Sequence, residues 1–348
     1  MRNTVAVIAL MLGSLFDLID SVGELHPFGL PHPFGLGSPV AAFADQPIAP
    51  KPNLVKVAAV QVSGYDKGEL PRDAYRPVES LLPYIDRAGR EKSELVVFPE
   101  YVLGHIKIPG PETNAIAAAA KANSLYVIVG CWEELADGAF SNQALLFDRE
   151  GGIVGRYAKT HRAVDHFEGD QPWQRPPAGK SRRWMLENDP EWEMRAGNDL
   201  PVFDLDFGRI GIMTCYDGWF PEPPRVLSLR GAELVVWING RRGTVEDFIV
   251  RSVMFQSHVA VVTANQAYGG GTMIGDGRSQ ILAQAPPLQE AYVSATINLG
   301  RVRQMRVKSR NFAQRRPDLY RDLVRDWVPR QSVSKQAASK QAASTEGQ

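Results

Sequence analysis

Cysteine is nearly absent. Among 348 residues only Cys131 and Cys215 occur, so at most one disulfide could form and a disulfide-stapled scaffold is excluded. No excess of charge of one sign exists either. Lys+Arg and Asp+Glu both number 39, and a formal net charge of zero removes the field expected of a partner for nucleic acid or an acidic membrane surface. Metal-ligand patterns are also missing: His161-Arg-Ala-Val-Asp165-His166-Phe-Glu168 groups several candidate ligands but has neither the H-E-x-x-H spacing nor a third spaced ligand. Gly269-Gly270-Gly271 lacks a strand–helix setting and a following Lys-Ser/Thr, so it is no phosphate loop. No metal and no cofactor are expected. Long apolar runs are lacking as well: Thr4 to Phe16 is too short to span a bilayer, and no Cys follows it to carry a lipid, so no membrane anchor is expected.

That short run does suit the apolar segment of a secretory signal. It follows Met1-Arg2-Asn3, and Val40-Ala-Ala-Phe-Ala44 offers a small-x-small cleavage site before Asp45. Between the two lies a near-duplicated segment from His26 to Leu36. The order of these features predicts a leader over 1–44, a linker over 45–54 and a secreted or periplasmic mature chain. An N-terminal extension on a cytoplasmic enzyme is the alternative. At the other end, residues 331–348 carry almost no apolar bulk and repeat Ser-Lys-Gln-Ala-Ala, a composition expected to stay disordered.

What the chain does have is an apolar content of 44%, enough for a sizeable core. Runs of β-branched and apolar residues predict strands over 55–62, 95–98, 126–129, 144–147, 154–157, 202–205, 210–215, 234–238, 259–264 and 292–297. Helical spacing predicts helices over 75–90, 113–122, 225–230 and 245–258. A further amphipathic helix is expected over 317–328, opened by Pro317, with Leu319, Leu323, Val324 and Trp327 on its apolar side, within a helical extension over 313–330. Strands with intervening helices and short hairpins predict an α/β fold: a two-sheet core with helices outside.

Three residues lie beside strand ends. Glu100 closes Leu-Val-Val-Phe-Pro-Glu, Lys159 follows Gly-Arg-Tyr-Ala, and Cys215 ends Gly-Arg-Ile-Gly-Ile-Met-Thr-Cys. A lone Cys is usually a small buried hydrophobe and a lone Lys a solvated charge. Together they supply a nucleophile, a base for its proton and a cation for an oxyanion. A strand-to-turn junction presents the Cys215 side chain outward, so the following N–H, that of Tyr216, is an expected oxyanion donor. Asp217 is expected to anchor this elbow to the backbone. Gly218, Trp219 and Phe220 offer apolar surface and no cation, with Trp219 as part of the pocket wall.

These segments, in this order from about Lys56 to about Arg306, resemble the nitrilase superfamily of carbon–nitrogen hydrolases, in its amidase and carbamoylase branch. The resemblance also takes in Val-Lys-Val-Ala-Ala-Val-Gln-Val, Ser-Asn142-Gln-Ala-Leu-Leu-Phe-Asp, Arg-Gly-Ala-Glu-Leu-Val-Val-Trp and Thr-Ala-Asn265-Gln. It implies a single αββα-sandwich domain over 55–312, two mixed sheets face to face with helices outside, and a homodimer or higher homo-oligomer. It implies that Cys215 forms a thioester with a small amide or N-carbamoyl substrate, that Glu100 moves the protons and that Lys159 holds the oxyanion. A second glutamate is expected between Lys159 and Gly197. Glu191 is the best positional match, with Glu193, Glu187 and Glu168 as competitors. Glu133 fits another acidic position, there to orient Lys159. Nitrile-cleaving members typically follow the nucleophile with Trp-Glu, whereas Cys215-Tyr216-Asp217 sides with amides. A nitrilase, an acyltransferase on the same scaffold and a silent binding homologue remain the alternatives.

Overall fold

The computed structural model describes residues 53–64, 75–164, 179, 191 and 194–325. Residues 1–44, where a leader is expected, residues 331–348, expected to stay disordered, and the three competing glutamates Glu168, Glu187 and Glu193 lie outside the described residues, as does His166.

Two sheets form whose central strands bury both of their faces. The first runs in the order β13 (Ala291–Asn298), β1 (Leu54–Gln61), β2 (Leu95–Val97), β4 (Tyr126–Glu134), β5 (Phe140–Phe147), β6 (Ile153–Ala158), with the short β3 (His105–Ile106) also paired to β4. The second runs β12 (Ile281–Gln284), β11 (Met273–Gly275), β10 (Ala260–Asn265), β9 (Leu234–Asn239), β8 (Gly208–Thr214), β7 (Val202–Leu205). In each sheet the central strands are parallel (β1, β2 and β4; β8, β9 and β10) and antiparallel strands close the edges. Both sheets are therefore mixed.

Side chains alternate across a strand, and here each parity has its own core. Val57, Val97, Ile128 and Leu146 of the first sheet pack with Ile210, Val236, Val262 and Ile274 of the second between the sheets. The other parity of the first sheet (Ala58, Val96, Val127, Leu145) faces α1 (Leu82–Arg90) and α2 (Pro111–Asn123) through Ile85, Ala88, Ile116 and Ala120. The outer face of the second sheet (Met213, Val235, Trp237, Val261) packs on α3 (Glu222–Leu229) and α4 (Asp247–Ser257) through Leu227, Val250 and Met254. The result is an αββα sandwich in a single domain. It accounts for the near-continuous apolar runs of the central strands, where neither face meets water.

Several elements differ from the expectations. The helix anticipated over 75–90 begins only at Leu82. Pro77 is extended, only a single 3₁₀ turn spans Val78–Ser80, and Pro83 takes a first-turn position where its missing N–H costs nothing. The helix anticipated over 317–328 is, within the described residues, two 3₁₀ turns, Pro317–Leu319 and Arg321–Val324. Leu319, Leu323 and Val324 stay exposed there, so no buried face supports a helix that propensity alone would leave marginal. In contrast, α5 (Leu299–Lys308) forms in a stretch with little apolar periodicity. The Asn298 side chain accepts the Arg301 N–H at 3.0 Å as its cap, and Leu299 and Val302 join the intersheet core.

Candidate active site

The parallel strands of both sheets end at one edge of the sandwich, and Glu100, Lys159 and Cys215 each stand just past a strand end there. Glu100 bridges the sheets through its backbone. Its N–H donates to Asn239 O at the end of β9 (3.3 Å), and its carbonyl accepts from Gln266 Nε2 (2.8 Å). The β4 backbone presses against it so closely that a Cβ on Gly130 would stand 2.6 Å from Glu100 Cα, which leaves room for glycine alone. The carboxylate is buried and accepts from Asn142 Nδ2 at 2.7 Å and from Lys159 Nζ at 3.1 Å, both on Oε1.

Lys159 is wholly buried, an unusual place for an ammonium unless it is paired. Besides Glu100 it donates to Glu191 Oε1, and the other oxygen of Glu191 takes the Ala163 N–H at 2.5 Å. Its backbone is held on both sides: Lys159 N–H donates to Asn142 O and Gly197 N–H donates to Lys159 O, each at 2.9 Å. Burial alone would lower the lysine's pKa. The charges of Glu100 and Glu191, with the hydrogen bond to Glu191, outweigh it and hold the group well above its ordinary value, so it stays a cation. Burial pushes the Glu100 carboxyl up, opposed by Lys159 and reinforced by Glu191. Burial also raises the Cys215 thiol, with Glu100 adding to the effect and Lys159 opposing it. The thiol is therefore protonated at rest and needs a base at hand.

Cys215 does not end a strand as anticipated. β8 stops at Thr214, and Cys215 opens a 3₁₀ turn, Cys215–Trp219, with φ of 45°. A left-handed non-glycine residue stores strain, and its surroundings must over-determine it. They do so here. Trp237 Nε1 donates to Cys215 O at 2.9 Å, and the Gly240 backbone hydrogen-bonds to the thiol. Asp217, fully buried beneath the turn, accepts from Thr214 N–H (2.9 Å), His161 N–H (2.9 Å), Tyr157 OH (2.6 Å) and Thr160 Oγ1 (2.9 Å). His161 Nδ1 lies 2.8 Å from the same carboxylate while its ring stacks on Phe220, 4.3 Å between centroids, so this histidine serves the elbow's anchor. Tyr216 follows in the turn, half-buried, and Trp219 is 56% exposed at its end.

Asp217 yields a prediction. Burial would raise its pKa, but the hydrogen bonds from His161, Tyr157 and Thr214 and the charge of Lys159 hold it below the usual carboxylate range. A depressed folded-state pKa contributes stability that is complete above the unfolded value of about 3.9 and fades as pH falls through the folded value. Asp217→Asn should lose about 2–4 kcal/mol at neutral pH, the scale of losing charged hydrogen bonds in a buried site. The deficit should shrink below about pH 4. Urea unfolding across pH measures it, and equal midpoints at pH 7 would remove this role.

Glu133 requires a correction. It pairs with Arg156 Nη1 at 2.8 Å and does not orient Lys159. The reason is strand parity. Glu133 shares the outer face of β4 with Val127, Val129 and Cys131, whereas Tyr157, and with it Lys159 two residues on, takes the inner face. Asn142, by contrast, lies on the inner parity of β5 with Ala144 and Leu146, and so meets Glu100. Of the candidate glutamates Glu191 is the one within the described residues, and its contact with Lys159 places it in the cluster. Sequence reading passed over Tyr157 and Thr160 as partners of Asp217, and Gly240 as a neighbour of the thiol. Only the position of Gly240 at the end of a predicted strand hinted at a site. Among the described residues no group of three His, Cys, Asp or Glu is placed to hold a metal ion.

The carbon–nitrogen hydrolase family model matches residues 56–307, and the chain belongs to that family. The human omega-amidase NIT2 is 29% identical over 236 residues, 64% of this chain and 78% of that protein. A nitrilase of Pyrococcus abyssi is 26% identical over 297 residues, 77% of this chain and 99% of that protein. The crystal structure of a carbon–nitrogen hydrolase from Helicobacter pylori superposes with a TM-score of 0.62 at 19% identity, covering 79% of this chain and all of that one, and shares the fold.

Proposed function

We propose that the protein hydrolyses a non-peptide C–N bond of a small amide or N-carbamoyl compound through a thioester on Cys215. The observation that carries this reading is the Lys159 ammonium. It is fully buried, bonded to Glu100 at 3.1 Å and to Glu191, and electrostatically coupled to the Cys215 sulfur.

Glu100 takes the thiol proton as the sulfur attacks the carbonyl carbon, and the Lys159 charge favours the thiolate. The tetrahedral oxyanion is stabilised by the Lys159 ammonium and the Tyr216 N–H, in a setting with little water to screen them. Glu100 then gives its proton to the departing nitrogen, and ammonia or an amine leaves. A water molecule enters, loses a proton to Glu100 and attacks the thioester, which releases the acid and restores the thiol. A base that must accept and then donate works best with a pKa near neutrality, and the burial of Glu100 shifts it in that direction. Glu191 and Asn142 position Lys159 and Glu100.

Similarity to both an omega-amidase and a nitrilase leaves the bond type open, and the Cys215-Tyr216-Asp217 order, which by the family resemblance marks amide- and carbamoyl-cleaving members rather than nitrile-cleaving ones, favours an amide or carbamoyl carbon. Ammonia release from a panel of amides, N-carbamoyl compounds and nitriles, with Cys215→Ala as control, tests the reading. Turnover of amide or carbamoyl members that vanishes in the variant is expected. Release from nitriles alone, or from none of the panel, would overturn it.

A further inference from the structure

Just past β9, Gly240 contacts the Cys215 thiol through its backbone, and the next residue is Arg241. The peptide of Arg241 is fixed in place. Its N–H donates to Asn265 Oδ1 at 2.9 Å and its carbonyl accepts Asn265 Nδ2 at 3.2 Å. The side chain, 13% exposed, turns its two-pronged edge onto Glu246: Nη1 donates to Oε2 at 2.6 Å and Nη2 to Oε1 at 2.8 Å. Glu246 stands at the N-terminal cap of α4. The guanidinium carbon lies over the ring of Trp219, the last residue of the turn that Cys215 opens, 5.1 Å from its centroid. The Glu246 hydrogen bonds raise the pKa of Arg241, burial opposes them, and the negative charge of Glu246 adds to the rise. Arg241 thus links the nucleophile's turn to the helix beyond it.

Arginine is the residue that reads a carboxylate by two parallel N–H bonds. Here that geometry is already satisfied within the protein. A substrate with a carboxylate near the scissile bond would have to displace Glu246 and leave it unpaired, or else approach a pair whose charges cancel. The Trp219 ring adds apolar surface beside the guanidinium. We propose that the Arg241–Glu246 pair beneath Trp219 determines specificity, admitting neutral substrates and turning away those with a carboxylate beside the scissile C–N bond. The inference rests on the hydrolase reading above and names the substrate class for that same site.

Matched pairs of amides and of N-carbamoyl compounds, with and without an α-carboxylate, form the test, read as the ratio of kcat/KM within each pair. Wild type should favour the neutral member roughly 10-fold or more, the scale on which an unmet charge discriminates. Glu246→Ala, with Glu246→Gln as the gentler variant should the first fail to fold, releases the Arg241 fork. The ratio should shift at least about 10-fold towards the carboxylate member, as a newly available bidentate partner allows. Removing Arg241 as well, in Arg241→Ala/Glu246→Ala, should cancel the shift. A wild-type preference for the carboxylate member overturns the inference, and so does an unchanged ratio in a folded Glu246 variant. In either case ammonia release that depends on Cys215 leaves the hydrolase reading standing. Absence of release from every pair overturns both.

Discussion

Cys215→Ala should abolish turnover, with kcat falling on the order of 10⁴-fold or more, because a nucleophile that acts as a unit with its base takes nearly the whole chemical step with it. Alanine removes the sulfur and leaves the turn's other supports in place. The Trp237 bond to the carbonyl of residue 215 and the Asp217 anchor do not involve the thiol. Folding should therefore be retained, and a thermal melt separates lost chemistry from lost structure. The positive counterpart is a mass measurement on wild-type enzyme quenched during turnover, which should find an acyl adduct on the Cys215 peptide. Cys131 is wholly buried on the helix side of β4, and burial pushes its thiol up, so it is expected to stay unmodified. An adduct on Cys131, or full activity in Cys215→Ala, would dismantle the thioester mechanism.

Lys159→Met should be damaging in two ways. Loss of the oxyanion cation costs on the order of 10²-fold or more in kcat, the scale seen when one such donor is removed. The substitution also strands two carboxylates. Glu100 and Glu191 both bond to the one ammonium, and Met fills the volume while leaving them facing each other without a counter-charge. Breaking a buried ion pair from one side costs about 3–5 kcal/mol. The variant should reduce that cost by taking up a proton on the pair. Its folded state then binds more protons than its unfolded state, so its stability should rise as pH falls from about 8 towards about 5, narrowing the gap to wild type. Urea midpoints over that range and initial rates together test the point. A variant as stable as wild type at pH 8 and equally active would deny Lys159 both roles.

The strands were the most legible part of the fold. β7 forms over the residues anticipated, and β2, β9 and β10 within a residue, the last three because strands buried on both faces carry dense apolar signals. β4 and β5 extend further than anticipated, since Trp132, Glu133, Ser141 and Asn142 break the apolar run while their backbones still pair. α1 and α5 were misjudged for opposite reasons. Helical spacing over 75–90 was overruled by Pro77 and Pro83, and α5 owes its place to an asparagine cap and two buried side chains rather than to a periodic face.

At the site, the sequence by itself determined which chemical groups are available: one cysteine at a strand-to-turn junction, a glutamate and a lysine past other strand ends, and an aspartate two residues after the thiol. Residue type and local pattern suffice for that, because a nucleophile, a base and a cation are defined by their own chemistry. Tertiary structure decided which groups meet. Glu133 turned to Arg156 because its strand parity is the outer one, and Glu191 reached Lys159 from 32 residues away. Arg241, two residues past the end of β9, is committed to Glu246. Such pairings depend on the faces and ends that two sheets present when they pack. Electrostatic attraction acts through space over a few ångströms, so no spacing along the chain encodes it.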